Sequence, residues 1–129
     1  MRRPARHTQS TVTDRGALDV LAEQLSRTRA ATVVVVTDLE DDLAAIAEST
    51  SMGPDDEHDP EGSTVGYERA RVGSLLERTR HHLSDLDAAL ERVRLGTYGF
   101  CEQCGEAILT ERLRVLPAAT LCVNCTING

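Results

Sequence analysis

Two Cys-x-x-Cys pairs constrain this chain more than anything else in it. Cys101 and Cys104 form the first, seventeen residues follow, and Cys122 and Cys125 form the second. Zinc bound by four sulfurs takes a closed tetrahedron. Two intervening residues let both sulfurs of a pair face one ion from a tight turn, and the overall spacing matches a zinc site. Gly105, directly after the second cysteine, tolerates a positive φ and so lets backbone N–H groups turn toward the sulfurs. A four-sulfur site leaves no open coordination position, so the expected metal is one structural Zn2+ and no metal catalysis follows. The stretch from 101 to 125 is too short to bury a sizeable core. Metal binding is therefore expected to supply its folding energy, typically ~10–16 kcal/mol apparent. Two disulfides would suit a secreted chain, and no secretory signal is visible. A redox pair at Cys101 and Cys104 leaves the second pair unexplained.

Composition narrows the partners. Net charge is -7 and all fourteen basic residues are arginine. Four thiolates on one Zn2+ add a further 2 − 4 = −2. Phosphate-backbone binding needs clustered positive charge. Residues 101–125 instead set Arg112 and Arg114 against Glu102, Glu106 and Glu111. Sequence-specific DNA binding, the label a zinc finger invites, is not expected. The apolar run at 30–36 is far short of a membrane span, and too far along the chain, with acids close behind, for a signal peptide. Four cysteines with zinc fit a reducing cytoplasm, and the chain carries no sign of an enzyme.

With Phe100, Tyr67 and Tyr98 as its aromatics and no Trp, the chain is poorly equipped for a globular core, but a coiled coil needs only aliphatics. Residues 1–16, with Arg2, Arg3 and Arg6 among Thr and Ser, predict a disordered basic tail. From about 17 to 49 the seam positions fall at 18, 21, 25, 29, 32, 36, 39, 43 and 46, a 3-4 repeat with one four-residue stutter. Arg29 and Thr32 weaken its middle, and Asp14 is placed to cap its start. The four valines at 33–36 favour a strand by propensity, but the helical period continues on both sides of them. A second helix is predicted from about 65 to 95, with seam positions Val72, Leu76, Thr79, Leu83, Leu86, Leu90 and Val93 and Gly96 as its C-cap. Between them, residues 50–64 hold two prolines, two glycines and five acids, an acidic tip. Glu23 with Arg27, Glu77 with Arg80 and Glu91 with Arg94 are spaced to pair on the surface. His58, His81 and His82 read as surface residues rather than ligands.

Two helices of about 30 residues, each roughly 45–50 Å long, cannot bury their apolar stripes alone. The expected fold is mainly α: an antiparallel helical coiled-coil hairpin over 17–95, followed by a C-terminal four-cysteine zinc finger over 96–129. A homodimeric coiled coil is the structural alternative. Around the metal, Ile108, Leu109, Leu113, Val115 and Leu116 are expected to pack with Phe100 and Tyr98, leaving Arg112 and Arg114 exposed.

The assembled residues resemble the DksA/TraR family of bacterial transcription regulators. The likeness lies in Gly96-x-Tyr98-Gly99-x-Cys101-x-x-Cys104-Gly105-x-x-Ile108, then Arg112-Leu113-x-x-x-Pro117-x-Ala119-x-x-Cys122-x-x-Cys125, with Asp59-Pro60 at the inter-helix tip. It implies binding to RNA polymerase, with the zinc globule at the rim of the secondary channel. The coiled coil would carry tip acids (Asp55, Asp56, Glu57 and Asp59) toward the catalytic region, in some members together with ppGpp. This chain departs from the family tip, which often reads Asp-x-x-Asp-x-Ala: Gly62 stands at the second Asp and Thr64 at the Ala. Val115 replaces a usual Ala, and little follows Cys125 where many members carry a helix, which weakens the carry-over of a ppGpp response. Two other functions compete. One is a zinc-ribbon and coiled-coil module for a different protein partner; the other is a thiol redox sensor.

Overall fold

The computed structural model describes residues 9–52 and 60–128. Four helices follow in order: α1 (Arg15–Met52), α2 (Pro60–Leu95), α3 (Thr110–Val115) and α4 (Val123–Asn128). Among the described residues, extended pairing is limited to two isolated antiparallel bridges, Thr11 with Leu109 and Phe100 with Ala107. The mainly helical architecture expected from the seam repeats is the one observed. The helices run further than expected, however, α1 to Met52 and α2 from Pro60. A proline is tolerated at the first helical position, where its fixed φ fits and its missing N–H has no intrahelical partner to lose. The tip acids Asp55, Asp56, Glu57 and Asp59, with His58, lie outside the described residues.

Chain contacts divide the molecule into two compact units. In the unit Ala30–Ser84, Val36 and Leu39 of α1 pack with Val72 and Leu76 of α2. Leu43, Ile46, Leu75 and Leu83 close around them. The valine run is helical, as its flanking period requires. Val36 is buried in the seam, while Val34 and Val35 face solvent. The Thr79 hydroxyl donates to the Leu75 carbonyl one turn back (2.7 Å), which satisfies a polar group in the seam. Arg80 reaches across to Glu40 (2.7 Å) rather than along its own helix to Glu77. Both side chains are about half exposed, so the pair contributes at most ~1 kcal/mol.

The other unit comprises Met1–Arg29 and Asp85–Gly129. Leu21 and Leu25 of α1, Leu86 and Ala89 of α2, and Tyr98, Cys101, Ile108 and Leu113 form one buried cluster there. Arg29, the weak point of the seam, is matched by Asp87 of α2 in a short ion pair. Glu23–Arg27 and Glu91–Arg94 pair on the surface at their expected spacings.

The predicted disordered tail over 1–16 does not hold for residues 10–16. Arg15 and Gly16 already belong to α1. Thr11 bridges Leu109, the Ser10 carbonyl accepts from the Thr110 N–H (2.7 Å), and Val12 is buried. Thr11 to Asp14 form a turn closed twice, by Asp14 N–H to the Thr11 carbonyl (3.0 Å) and by Thr11 N–H to Asp14 Oδ2 (3.3 Å). Asp14 thus precedes the helix as expected, but its carboxylate turns back onto Thr11.

Candidate metal centre

The finger begins where α2 is stopped. Gly96 adopts φ +81°. Its N–H bonds the Val93 carbonyl (3.2 Å) and the Thr97 N–H bonds that of Arg92 (2.9 Å). This is the Schellman pattern, in which a left-handed residue satisfies the last helical carbonyls. Tyr98 follows, only 2% exposed, and its hydroxyl donates to the Pro117 carbonyl (2.8 Å). That bond ties the approach to the first cysteine pair to the approach to the second. Burial pushes the Tyr98 phenol up to about 12, with Arg92 pulling weakly the other way.

Residues 99–101 and 106–108 form a tight hairpin. Phe100 bridges Ala107, the Cys101 N–H donates to Glu106 O (2.8 Å), and the Ile108 N–H donates to Gly99 O (2.7 Å). Gly105 sits at φ +81°, as its position after Cys104 suggested, and its N–H closes onto Cys101 O (2.9 Å). Gly99 is needed twice over. Its φ is +89°, and a Cβ there would lie 2.5 Å from Val12 Cγ1.

The second pair arrives through α3. Leu113 and Thr110 turn inward, three residues apart, and a six-residue helix has one such face. Val115 and Leu116 consequently fall outside it at 77% and 48% exposed, and Phe100 lies at the surface. The expectation that these three pack around the metal is corrected; Tyr98, Ile108 and Leu113 do that work. Arg112, expected in solvent, is half-buried and donates to the Leu121 carbonyl (3.0 Å) and to Thr126 Oγ1 (3.1 Å). α4 carries the second knuckle itself, from Val123 through Cys125.

These elements bring Cys101, Cys104, Cys122 and Cys125 together with all four sulfurs within 4.8 Å of one another. Cys104 and Cys122 sulfurs are 3.8 Å apart. A Zn–S bond of about 2.3 Å in a regular tetrahedron sets sulfurs ~3.8 Å apart, so the donor set fits one zinc. All four thiols are free. Cys101 is buried, Cys122 and Cys125 are half-buried, and Cys104 is exposed. Burial opposes ionisation of Cys101, but the N–H groups of Cys104, Cys122 and Gln103 outweigh it and bring the thiol down to about 6. Burial, then the neighbouring cysteines, push Cys125 up to about 12. A coordinating cation resolves that opposition, because a metal-bound thiol is deprotonated outright. His81 and His82 lie exposed on α2, as expected. No described helix is long and apolar enough to cross a membrane.

Four free cysteines clustered within 4.8 Å, after two long paired helices, define a C4 zinc-finger protein of helical-hairpin type. Residues 96–126 match the prokaryotic DksA/TraR C4-type zinc finger. The finger is thus of the DksA/TraR type. The chain is similar to the RNA polymerase-binding transcription factor DksA of Caulobacter vibrioides, 47% identical over 56 residues, which cover 43% of this chain and 39% of that one. It is also similar to the uncharacterized protein YteA of Bacillus subtilis, 42% identical over 65 residues, or 50% of this chain and 27% of that one. The matched region thus spans less than half the length of these curated relatives. Among solved structures it is similar to transcription factor DksA2 from Pseudomonas aeruginosa, with a TM-score of 0.77 and 28% identity, covering 91% of this chain and 85% of that one.

Proposed function

We propose that this protein is a non-enzymatic bacterial transcription regulator that binds RNA polymerase and acts through its secondary channel. The observation that carries this reading is the agreement with DksA2 over 91% of the chain, together with the finger match at 96–126. A relative named for RNA polymerase binding supports the choice of partner. The zinc, held by Cys101, Cys104, Cys122 and Cys125, is structural: it organises the finger and offers no open position for a substrate. The helices, of 38 and 36 residues, suit a reach of ~50 Å at ~1.5 Å per residue. Asp55, Asp56, Glu57 and Asp59 would act at the inter-helix tip, where carboxylates suit a centre of metal ions and basic side chains. The acidic balance of the chain disfavours direct DNA contact, and its place of action is the cytoplasm.

The test is capture of RNA polymerase core from the same cell by zinc-loaded protein, competed by another secondary-channel factor. Competable capture is expected. Asp59→Asn should leave capture unchanged and weaken the effect on a sensitive promoter. Failure to capture polymerase, with zinc and helix content intact, would move the function to a different protein partner.

A further inference from the structure

We propose that Arg112 is a positioning residue for the metal centre, holding Cys122 and Cys125 in ligating geometry from the side. The inference rests on the reading of the four cysteines as ligands of one zinc.

The two knuckles are built differently. The first is closed by its own backbone: Cys101 N–H to Glu106 O, Gly105 N–H to Cys101 O, and a bridge from Phe100 to Ala107. The second is the opening of α4, a helix of six residues. So short a helix is not stable by itself. Its local bonds are Thr126 N–H to Cys122 O (3.0 Å), Thr126 Oγ1 to the same carbonyl (2.9 Å) and Cys125 N–H to Cys122 Sγ (3.4 Å). All of them lie within the knuckle; outside it, Glu102 N–H to Thr120 O (2.8 Å) and the packing of Leu121, Cys122 and Cys125 on the buried cluster hold only its approach and inner side.

Arg112 adds a hold from the outer side. Its Nε donates to the carbonyl of Leu121, the residue before Cys122. Its Nη2 donates to Thr126 Oγ1, on the residue after Cys125. One planar guanidinium therefore grips the knuckle at entry and exit, a two-point hold suited to its rigid fork of donors. The grip is anchored, because α3 buries Leu113 and Thr110 on either side of Arg112. Arg112 also lines the same open depression as Cys104, Cys122 and Cys125. A fixed cation there suits a loaded site of charge 2 − 4 = −2. Groups that orient ligands in this way typically change metal affinity 10–100-fold when removed.

The experiment compares full-length wild type, Arg112→Gln, Arg112→Lys and Arg114→Gln, the last an exposed neighbour on the same short helix. Zinc affinity is read by competition with a colorimetric chelator, and ligand geometry by the visible spectrum of the Co2+-substituted protein. Arg112→Gln should bind zinc about 10–100-fold more weakly, with weakened and shifted tetrahedral Co2+ bands. Arg112→Lys, a single point donor, should recover part of the loss, and Arg114→Gln should match wild type. Wild-type affinity and spectrum in Arg112→Gln, or an equal loss in Arg114→Gln, would overturn the role of Arg112. If Arg112→Gln does not fold, Thr126→Val removes the Nη2 acceptor, together with the hydroxyl's own bond to Cys122 O, and leaves α3 intact. It should show a smaller drop in the same direction, and wild-type affinity there would equally overturn the proposal. A wild type holding less than one zinc per chain would instead overturn the metal-centre reading, and this role with it.

Discussion

Gly99 shows how much a single position can demand. Its backbone is left-handed and its missing side chain is the space that Val12 fills. Gly99→Ala should cost roughly 1–3 kcal/mol, the range for forcing extra atoms into a packed site, read as a lower urea midpoint with an unchanged slope. Tyr98 offers a second measurement at this scale. In a Tyr67→Phe background it is the remaining tyrosine, and its phenol should titrate near 12 rather than near the ordinary value of about 10. Because the folded state favours the neutral phenol, its contribution is complete below the unfolded value. It is lost as pH rises toward 12, so alkaline unfolding should set in across that window. A midpoint near 10 would contradict the burial of this ring. Residue by residue, the sequence revealed what depends on spacing and hid what depends on distant partners. The four cysteines, Gly96 and Gly105 declare themselves through local geometry. Arg112 did not, because an arginine reads as solvent-facing until its acceptors at Leu121 and Thr126 are known. Val12 sits in a polar, basic stretch and meets Gly99, a residue far along the chain. Ala89 is fully buried but too small to register in a periodicity of large aliphatics.

The long elements were the most legible, since a 3-4 repeat sustained over many turns survives individual bad residues. Arg29 stays in register through Asp87, and the valine run stays helical although its residues favour strands. The short elements were less so. A six-residue helix such as α3 shows one face, and which of its apolar residues occupy that face is settled by tertiary packing. The element with the sharpest prediction is the segment 10–12. Removing residues 1–12 should expose the Thr110 amide, which donates to Ser10 O, to rapid hydrogen exchange. The Ile108 amide, bonded to Gly99 O within the hairpin, should keep its protection. Equal exchange at Thr110 in the full and shortened chains would mean that this segment does not hold. Chelation should separate the elements again. α1 and α2 carry 38 and 36 helical residues against six each in α3 and α4. Metal removal should therefore leave most of the far-ultraviolet signal while the finger amides lose protection.

For the whole molecule, charge is the property with a direct functional reading. A net charge of -7, which a tetrathiolate zinc would carry further, disfavours contact with nucleic acid in bulk. At a salt concentration where polymerase capture is measurable, duplex DNA alone should give no mobility shift. A shift that weakens steeply with added salt would reverse this assignment.

The Val12–Gly99 contact has a consequence in time. Ser10, Thr11 and Val12 are made close to a hundred residues before Gly99, Leu109 and Thr110. At ~5–20 residues per second, the first partners wait on the order of 5–20 s for the last. During that interval the growing chain can pair its helices but cannot fasten the segment 10–12. The metal cannot be fully gripped until Cys125 has been made, so the segment 10–12 and the metal are secured within moments of each other.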